Sequence, residues 1–261
     1  MSNETIIGID LGTTNSLVTV FETDGPVLIK NALGSFMTPS AVGHADDGSL
    51  LIGQAAKDRL VTHPGKTTAR FKRYMGTDRE VKLDKKSYRA EELSALVLKS
   101  LKADVENHLG HSVKDAIISV PAYFNDVQRK ATMTAAELAG LNVVRLVNEP
   151  TAASLAYGLQ DKEAETTFLV VDLGGGTFDV SILEMFSGVM EVRASAGDAF
   201  LGGEDFTDAL MAHLIAQASF EQADLSPEDT SRLRGIVDRM KHKLTESTES
   251  TGTFVLKGQE H

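Results

Sequence analysis

Two stretches of the chain carry the same set of residues suited to holding phosphate and a metal ion. Near the start, Ile7-Gly8-Ile9-Asp10-Leu11-Gly12-Thr13-Thr14 runs from apolar residues into Asp, Leu, Gly and Thr. Past the middle, Val170-Val171-Asp172-Leu173-Gly174-Gly175-Gly176-Thr177 does the same. Glycine has no Cβ, so such a turn can bring its backbone close to a ligand. Successive amides then form a concavity for anions. The hydroxyls of Thr13, Thr14 and Thr177 add donors at the rim. Asp10 and Asp172 alone would repel phosphate. A hydrated Mg²⁺ between carboxylate and phosphate removes the conflict, because hard cations take oxygen ligands and keep several waters. Two such tips facing one another would hold a polyphosphate from both sides. Each taken alone is also what an ordinary hairpin with a glycine turn looks like, and short glycine motifs recur by chance.

The surrounding pattern supplies the elements that must position these residues. Each copy is followed by an alternating run, Ser16-Leu17-Val18-Thr19-Val20-Phe21 and Phe178-Asp179-Val180-Ser181-Ile182-Leu183, so each reads as a β-hairpin, the first over strands 4–10 and 15–21. The long spacing between copies points to two similar lobes rather than a solenoid. A looser glycine-rich region spans about Gly25 to Gly53. Helical periodicity is clear from Ala90 to Leu109, with Leu93, Leu96, Val97, Leu101, Val105 and Leu109 on one stripe and Gly110 as its stop. A strand, Ala116 to Val120, ends at Pro121. Asn125 or Asp126 caps a helix running to Gly140, a strand follows from Val143 to Val147, and Pro150 opens a short helix closed by Gly158. The polar, acidic segment Gln160 to Thr166 reads as a linker, after which a second lobe begins. Its last helix, opened by Ser226 and Pro227, has Leu233, Ile236, Val237, Met240 and Leu244 on one face, and its Arg232, Arg234, Arg239, Lys241 and Lys243 read as the wet side. The late run Thr253 to Leu256 is strand-like and needs a partner for its backbone groups. The second lobe is much shorter than the first, so a truncated second lobe is expected.

Composition narrows the chemistry. The 261 residues are 42% hydrophobic and 24% charged, as in globular proteins. The formal net charge of −11 argues against general binding to nucleic acid or anionic membrane, so a phosphate site must be local. There is no cysteine, which excludes disulfides and thiolate chemistry. No apolar run reaches the length of a membrane span. Met1-Ser2-Asn3-Glu4 has neither a basic segment nor an apolar signal core, which points to the cytoplasm. By residue type alone, Lys72-Arg73 is a solvated basic pair, Glu149 before Pro150 favours a helix N-terminus, and Pro121 is a strand terminator.

Several of these phrases together resemble the nucleotide-binding domain of the seventy-kilodalton heat-shock chaperones, the DnaK and HscC group. Gly8 to Ser16 resembles the family's first phosphate motif, and Asp172 to Asp179 its second. Val120-Pro121-Ala122-Tyr123-Phe124 resembles its interlobe hinge segment, Asn148-Glu149-Pro150-Thr151-Ala152-Ala153 its first connecting helix, and Leu201-Gly202-Gly203-Glu204-Asp205-Phe206 a further signature. The resemblance runs through nearly the whole chain. It implies an α/β, actin-like (ribonuclease H-like) ATPase fold of two lobes with mixed sheets flanked by helices. Lobe I would be residues 1–165, with a core of 1–36 and 105–165 and an inserted subdomain at 37–104. The incomplete lobe II would be residues 166–261.

It also implies roles. Asp10 and Asp172 would hold the waters of Mg²⁺. Gly12, Thr13, Thr14, Asn15 and Gly174, Gly175, Gly176 and Thr177 would bind the phosphates of ATP or ADP, and Gly202 and Gly203 would also bind the nucleotide. Lys72 would reach the γ-phosphate and the attacking water. Glu149, Asp179 and Thr177 would complete the catalytic floor. Asp238, Lys241, His242 and Thr245 fall where the family contacts adenosine, His242 standing where an arginine is usual. Pro121 and Arg129 match a pair that passes the nucleotide state to a peptide-binding domain. The family further implies peptide clients, a J-domain co-chaperone, an exchange factor and a site for K⁺. The short stretch between Lys72 and Ala90 points to a specialised, HscC-like member. Two other functions share this fold and stay open at this point: an actin-like filament ATPase, and a small-molecule kinase in which a substrate hydroxyl replaces water.

Overall fold

The computed structural model describes residues 5–158, 166–186, 189–218 and 220–261. Strands β1 (Ile6–Leu11) and β2 (Asn15–Glu22) form the first hairpin, with Asp10 opposite Leu17 and Leu11 opposite Ser16. Two short strands, β3 (Gly25–Leu28) and β4 (Thr38–Pro39), both pair antiparallel with β2. A three-stranded sheet follows from β5 (Ala41–His44), β6 (Leu50–Ile52) and β7 (Thr67–Ala69), with the four-residue helix α1 (Gln54–Lys57) between the last two. A 3₁₀ turn, Phe71–Tyr74, leads to the hairpin β8 (Glu80–Leu83) and β9 (Lys86–Arg89). The glycine-rich region is thus more ordered than its composition implies. Its strands are two to four residues long, too short to show a period.

Helix α2 (Ala90–Leu109) occupies the bounds its periodicity predicts. Glu92 accepts the Arg89 amide at 2.8 Å, and Gly110 ends the helix in the left-handed region at φ 75°. Strand β10 (Asp115–Val120) joins β1 in parallel, and β11 (Asn142–Asn148) joins β10 in parallel. Between them lies α3 (Asp126–Leu138), opened by a reciprocal cap in which the Asn125 and Gln128 side chains each accept the other's amide. The result is a mixed sheet of order β11-β10-β1-β2-β3, with β4 beside β2.

The pleat sorts the residues of this sheet onto two faces. Ile7, Ile9, Leu11, Val18, Val20 and Ile118 turn inward against Leu93, Val97, Leu98 and Leu101 of α2 and Ala131, Ala135 and Ala136 of α3. Asp10 and Ser119 therefore turn to the opposite face. Helix α4 (Glu149–Ala156) continues from β11 with proline in its first turn.

The second repeat builds an antiparallel sheet of β12 (Thr166–Leu173), β13 (Phe178–Phe186) and β14 (Val189–Asp198). Helices α5 (Gly203–Gln217) and α6 (Pro227–Lys243) share a core, Ile215, Leu233, Val237, Phe254 and Leu256, with a final hairpin of β15 (Val255–Leu256) and β16 (Gln259–Glu260). Three sequence readings are corrected here. Thr166 opens β12 rather than closing the linker; the rest of that linker lies outside the described residues. The late strand has its partner in the next few residues. Leu244, expected on the apolar face of the last helix, follows its end and is 42% exposed. Among the described residues no helix is long and apolar enough to cross a membrane.

Candidate functional site

The two repeat turns meet tip to tip across one cavity of about 790 Å³. Its walls include Asp10, Gly12, Thr13, Thr14 and Asn15 from the first hairpin, Asp172, Gly174, Gly175 and Thr177 from the second, and Lys72 and Glu149. A Cβ placed on Gly175 would lie 2.0 Å from the Thr14 Oγ1, so only glycine allows this approach. Gly176 does not line the cavity; a Cβ there would lie 2.3 Å from the Thr13 Cγ2, so it backs the contact between the turns. The Thr13 and Thr14 hydroxyls are buried with no hydrogen-bond partner among the described residues. A buried hydroxyl without a partner is costly. Donors left open at a glycine turn fit a phosphate oxygen.

The charged groups around the cavity are mutually dependent. The Lys72 ammonium donates to the Glu149 Oε1 at 2.8 Å and lies 5.7 Å from the Phe124 ring centre, with Lys72 only 5% exposed. Burial raises the Glu149 pKa; Lys72 opposes the rise, and Asp10 and Asp172 add to it. Asp172 is also raised, first by desolvation and then by the charge of Asp10, so the two repeat aspartates feel one another. Asp10 accepts the Ser119 hydroxyl at 2.8 Å. Like-charged carboxylates sharing a cavity with unfilled hydroxyl donors are a donor set that a hard divalent cation and its waters fit.

These shifts carry a sign. A carboxyl whose folded pKa is raised favours folding when protonated, and that contribution is lost as pH rises through the folded pKa. In the ligand-free chain, Asp172→Asn is therefore expected to raise Tm at pH 7. The gain should shrink as pH falls toward the ordinary aspartate value of 3.8, where both chains carry a neutral group. Thermal scans across this range check it; an equal difference at both ends would refute it.

Other predicted residues sit around this centre. Asp179 is 5% exposed and does not line the cavity. Its oxygens accept the Ser195 hydroxyl at 3.1 Å and the Ala122 amide at 3.3 Å, tying the second sheet to the turn after Pro121. Burial, above all, raises its pKa. The Tyr123 phenol pKa is pushed up by desolvation and then by the charge of the same carboxylate. Pro121 is buried, and Arg129 wraps its turn, donating to the carbonyls of Phe124 and Ala122 and to the Asn148 Oδ1 at 2.7 Å. Asn148 directly precedes Glu149, so a hydrogen-bonded path joins this turn to the Lys72 partner.

Gly202, Gly203 and the four residues expected to contact adenosine are brought to the second turn only in part. Gly202 packs onto it so closely that a Cβ would lie 2.6 Å from the Gly176 nitrogen. The Gly203 amide donates to the Gly174 carbonyl at 3.1 Å. Lys241 reaches back to the Gly203 carbonyl at 2.7 Å and the Thr207 hydroxyl at 2.8 Å, and pairs with Asp238 at 2.9 Å. Burial works against the Asp238 carboxylate, but Lys241 and Thr207 hold its pKa below the usual value. None of Gly202, Gly203, Asp238, Lys241, His242 or Thr245 lines the cavity. The His242 side chain is 73% exposed, and Thr245 follows the helix end on the surface. The reading of the α6 cations as a uniformly wet face also needs correction. Arg234 pairs with Glu204 and Asp208 of α5, and Lys241 is engaged as above, because α5 and α6 pack side by side. Sequence reasoning missed Ser119. Its only signal is its place in β10, whose parallel register sets it beside Asp10.

The chain matches the family model described as Hsp70 protein over residues 6–82 and 77–259. The match takes in both repeat turns, the Lys72 segment and both helices of the second core. Members of this family are ATPases of actin-like fold that bind ATP or ADP with a divalent metal, and the mixed α/β architecture agrees with that fold. With nearly its whole length matched, this chain belongs to the Hsp70 protein family.

Proposed function

We propose that the chain binds and hydrolyses ATP as the nucleotide module of a heat-shock-type chaperone, with residues 1–165 and 166–261 as two lobes closing on the nucleotide. The observation that carries this reading is the pair of turns, one from each sheet, meeting at a cavity that also holds Asp10, Asp172, Lys72 and Glu149. Thr13, Thr14, Asn15 and the Gly174–Thr177 turn bind the phosphates. Asp10 and Asp172 would hold Mg²⁺, which when bound would neutralise charge on the phosphate oxygens. Lys72 offsets the charge that develops as water attacks in line. Glu149, with its pKa raised, is the carboxylate suited to receive the proton of that water. Asp179 has both oxygens engaged and acts by holding the Ala122 turn. Through that turn, Pro121 and Arg129 report lobe position to a peptide-binding partner domain, whose cycle a J-domain co-chaperone and an exchange factor would regulate.

Isothermal titration with ADP, with and without Mg²⁺, tests the reading. One-to-one binding that is lost on chelation is expected. The absence of binding heat in the presence of Mg²⁺, confirmed by an unchanged Tm, would overturn it.

A further inference from the structure

The second glycine turn is gripped from behind at three consecutive carbonyls. The Gly203 amide donates to the Gly174 carbonyl at 3.1 Å, and the Glu204 amide to the Gly175 carbonyl at 2.8 Å. The third carbonyl, that of Gly176, accepts the Arg73 Nε at 2.8 Å. In a planar trans peptide the C=O and the following N–H point in opposite directions. Holding these three carbonyls on the outer side therefore turns the amides of Gly175, Gly176 and Thr177 away from α5 and Arg73. Thr13 and Thr14, with their unpartnered hydroxyls, lie against the turn there.

Two of the three grips are backbone amides at the start of α5. The third is a side chain, and it comes from the other half of the molecule. Arg73 sits beside Lys72 on the 3₁₀ turn Phe71–Tyr74, and its side chain is only 7% exposed. Its guanidinium is held in turn. It forms a two-pronged pair with Asp205 on the first turn of α5, one prong at 3.0 Å, and lies 5.8 Å from the Phe200 ring centre. Burial alone would raise the Asp205 pKa, but the hydrogen bonds and charge of Arg73 carry it below the usual value. A guanidinium suits this task because it can fork to a carboxylate and still direct Nε elsewhere.

We propose that Arg73 is a positioning residue: it sets the Gly176 carbonyl, and with it the amide nest of the second phosphate turn, and ties that nest to the turn carrying Lys72. The claim goes beyond the proposed function and rests on it only for the ligand. Removing Arg73 leaves the Gly176–Thr177 peptide free to rotate, while the other two grips remain.

The test uses Arg73→Ala, Arg73→Lys and Asp205→Asn in the same chain. In the ligand-free protein, the amide resonances of Gly176 and Thr177 are expected to move or broaden in Arg73→Ala and to return toward wild type in Arg73→Lys, which can still reach the carbonyl. Tm should fall in Arg73→Ala, which leaves Asp205 without its cation, and fall less in Arg73→Lys. With ADP and Mg²⁺, Kd should rise about tenfold or more in Arg73→Ala, with smaller rises in Arg73→Lys and Asp205→Asn, consistent with loss of a charge-assisted contact. Superimposable amide resonances in Arg73→Ala overturn the proposal, as does wild-type affinity in a variant whose resonances have moved. If the wild-type chain itself fails to bind ADP, the functional reading falls, and the amide resonances still decide whether Arg73 positions the turn.

Discussion

Replacing Lys72 by alanine is expected to slow single-turnover ATP hydrolysis about a hundredfold or more while leaving nucleotide binding measurable. The ammonium is buried, fixed by Glu149 and backed by the Phe124 ring, so it meets the phosphates with little reorganisation. Such a preorganised charge acts on the transition state more than on binding, since phosphoryl transfer needs positioning and charge neutralisation above all. Its removal also leaves Glu149 buried without its cation. With its pKa already raised, Glu149 can answer by taking up a proton, which limits the loss of stability. Lys72→Ala combined with Glu149→Gln separates the two effects. The double variant should regain stability without regaining turnover. Single-turnover hydrolysis at the wild-type rate in Lys72→Ala would end the assignment.

Gly175→Ala should weaken binding of ADP and Mg²⁺ by about tenfold to a hundredfold, the order expected when a hydrogen bond to a charged phosphate is lost. The added methyl would stand 2.0 Å from the Thr14 Oγ1 and 2.9 Å from its Cβ. Rotating the hydroxyl away removes only the first overlap, so the two turns must separate. Thr14→Ala in the same chain takes away the oxygen and the methyl but keeps the Cβ. It should therefore recover part of the loss, a coupling that a double-mutant cycle by titration calorimetry would measure. Full affinity in Gly175→Ala would mean that the two turns need not touch to hold the ligand.

Both predictions depend on residues whose types were legible in the chain but whose geometry was not. The apolar-Asp-Leu-Gly-Thr repeat marks the two hairpins, and the pleat alone sends Asp10 and the apolar residues beside it to opposite faces. That the tips meet, with Gly175 against Thr14, depends on how two separate sheets dock. The Lys72-Arg73 pair shows the gap most plainly. By residue type it is a wet pair; in the fold both cations are buried, each on a different carboxylate. Asp179 shows the converse. It shares its motif with the cavity residues, and the register sets it opposite Asp172 on the same face, yet its oxygens are taken by Ser195 and Ala122.

What the amino-acid order determined by itself is local. The bounds of α2, a helix cap at Asn125 or Asp126, the proline opening α4 and the two hairpin turns each follow from residues within a few positions of one another, where periodicity and capping operate. The strands of two to four residues between Gly25 and Arg89 escaped this reading because they are shorter than any period they could display. Tertiary structure alone decided the pairings that join distant segments: Arg73 to Gly176 across 103 positions, Arg73 to Asp205 across 132, Lys241 to Gly203, and Arg129 to Asn148. Their energy comes from desolvated charge and hydrogen bonding, which no residue acquires until the sheets and helices around it have packed and excluded water.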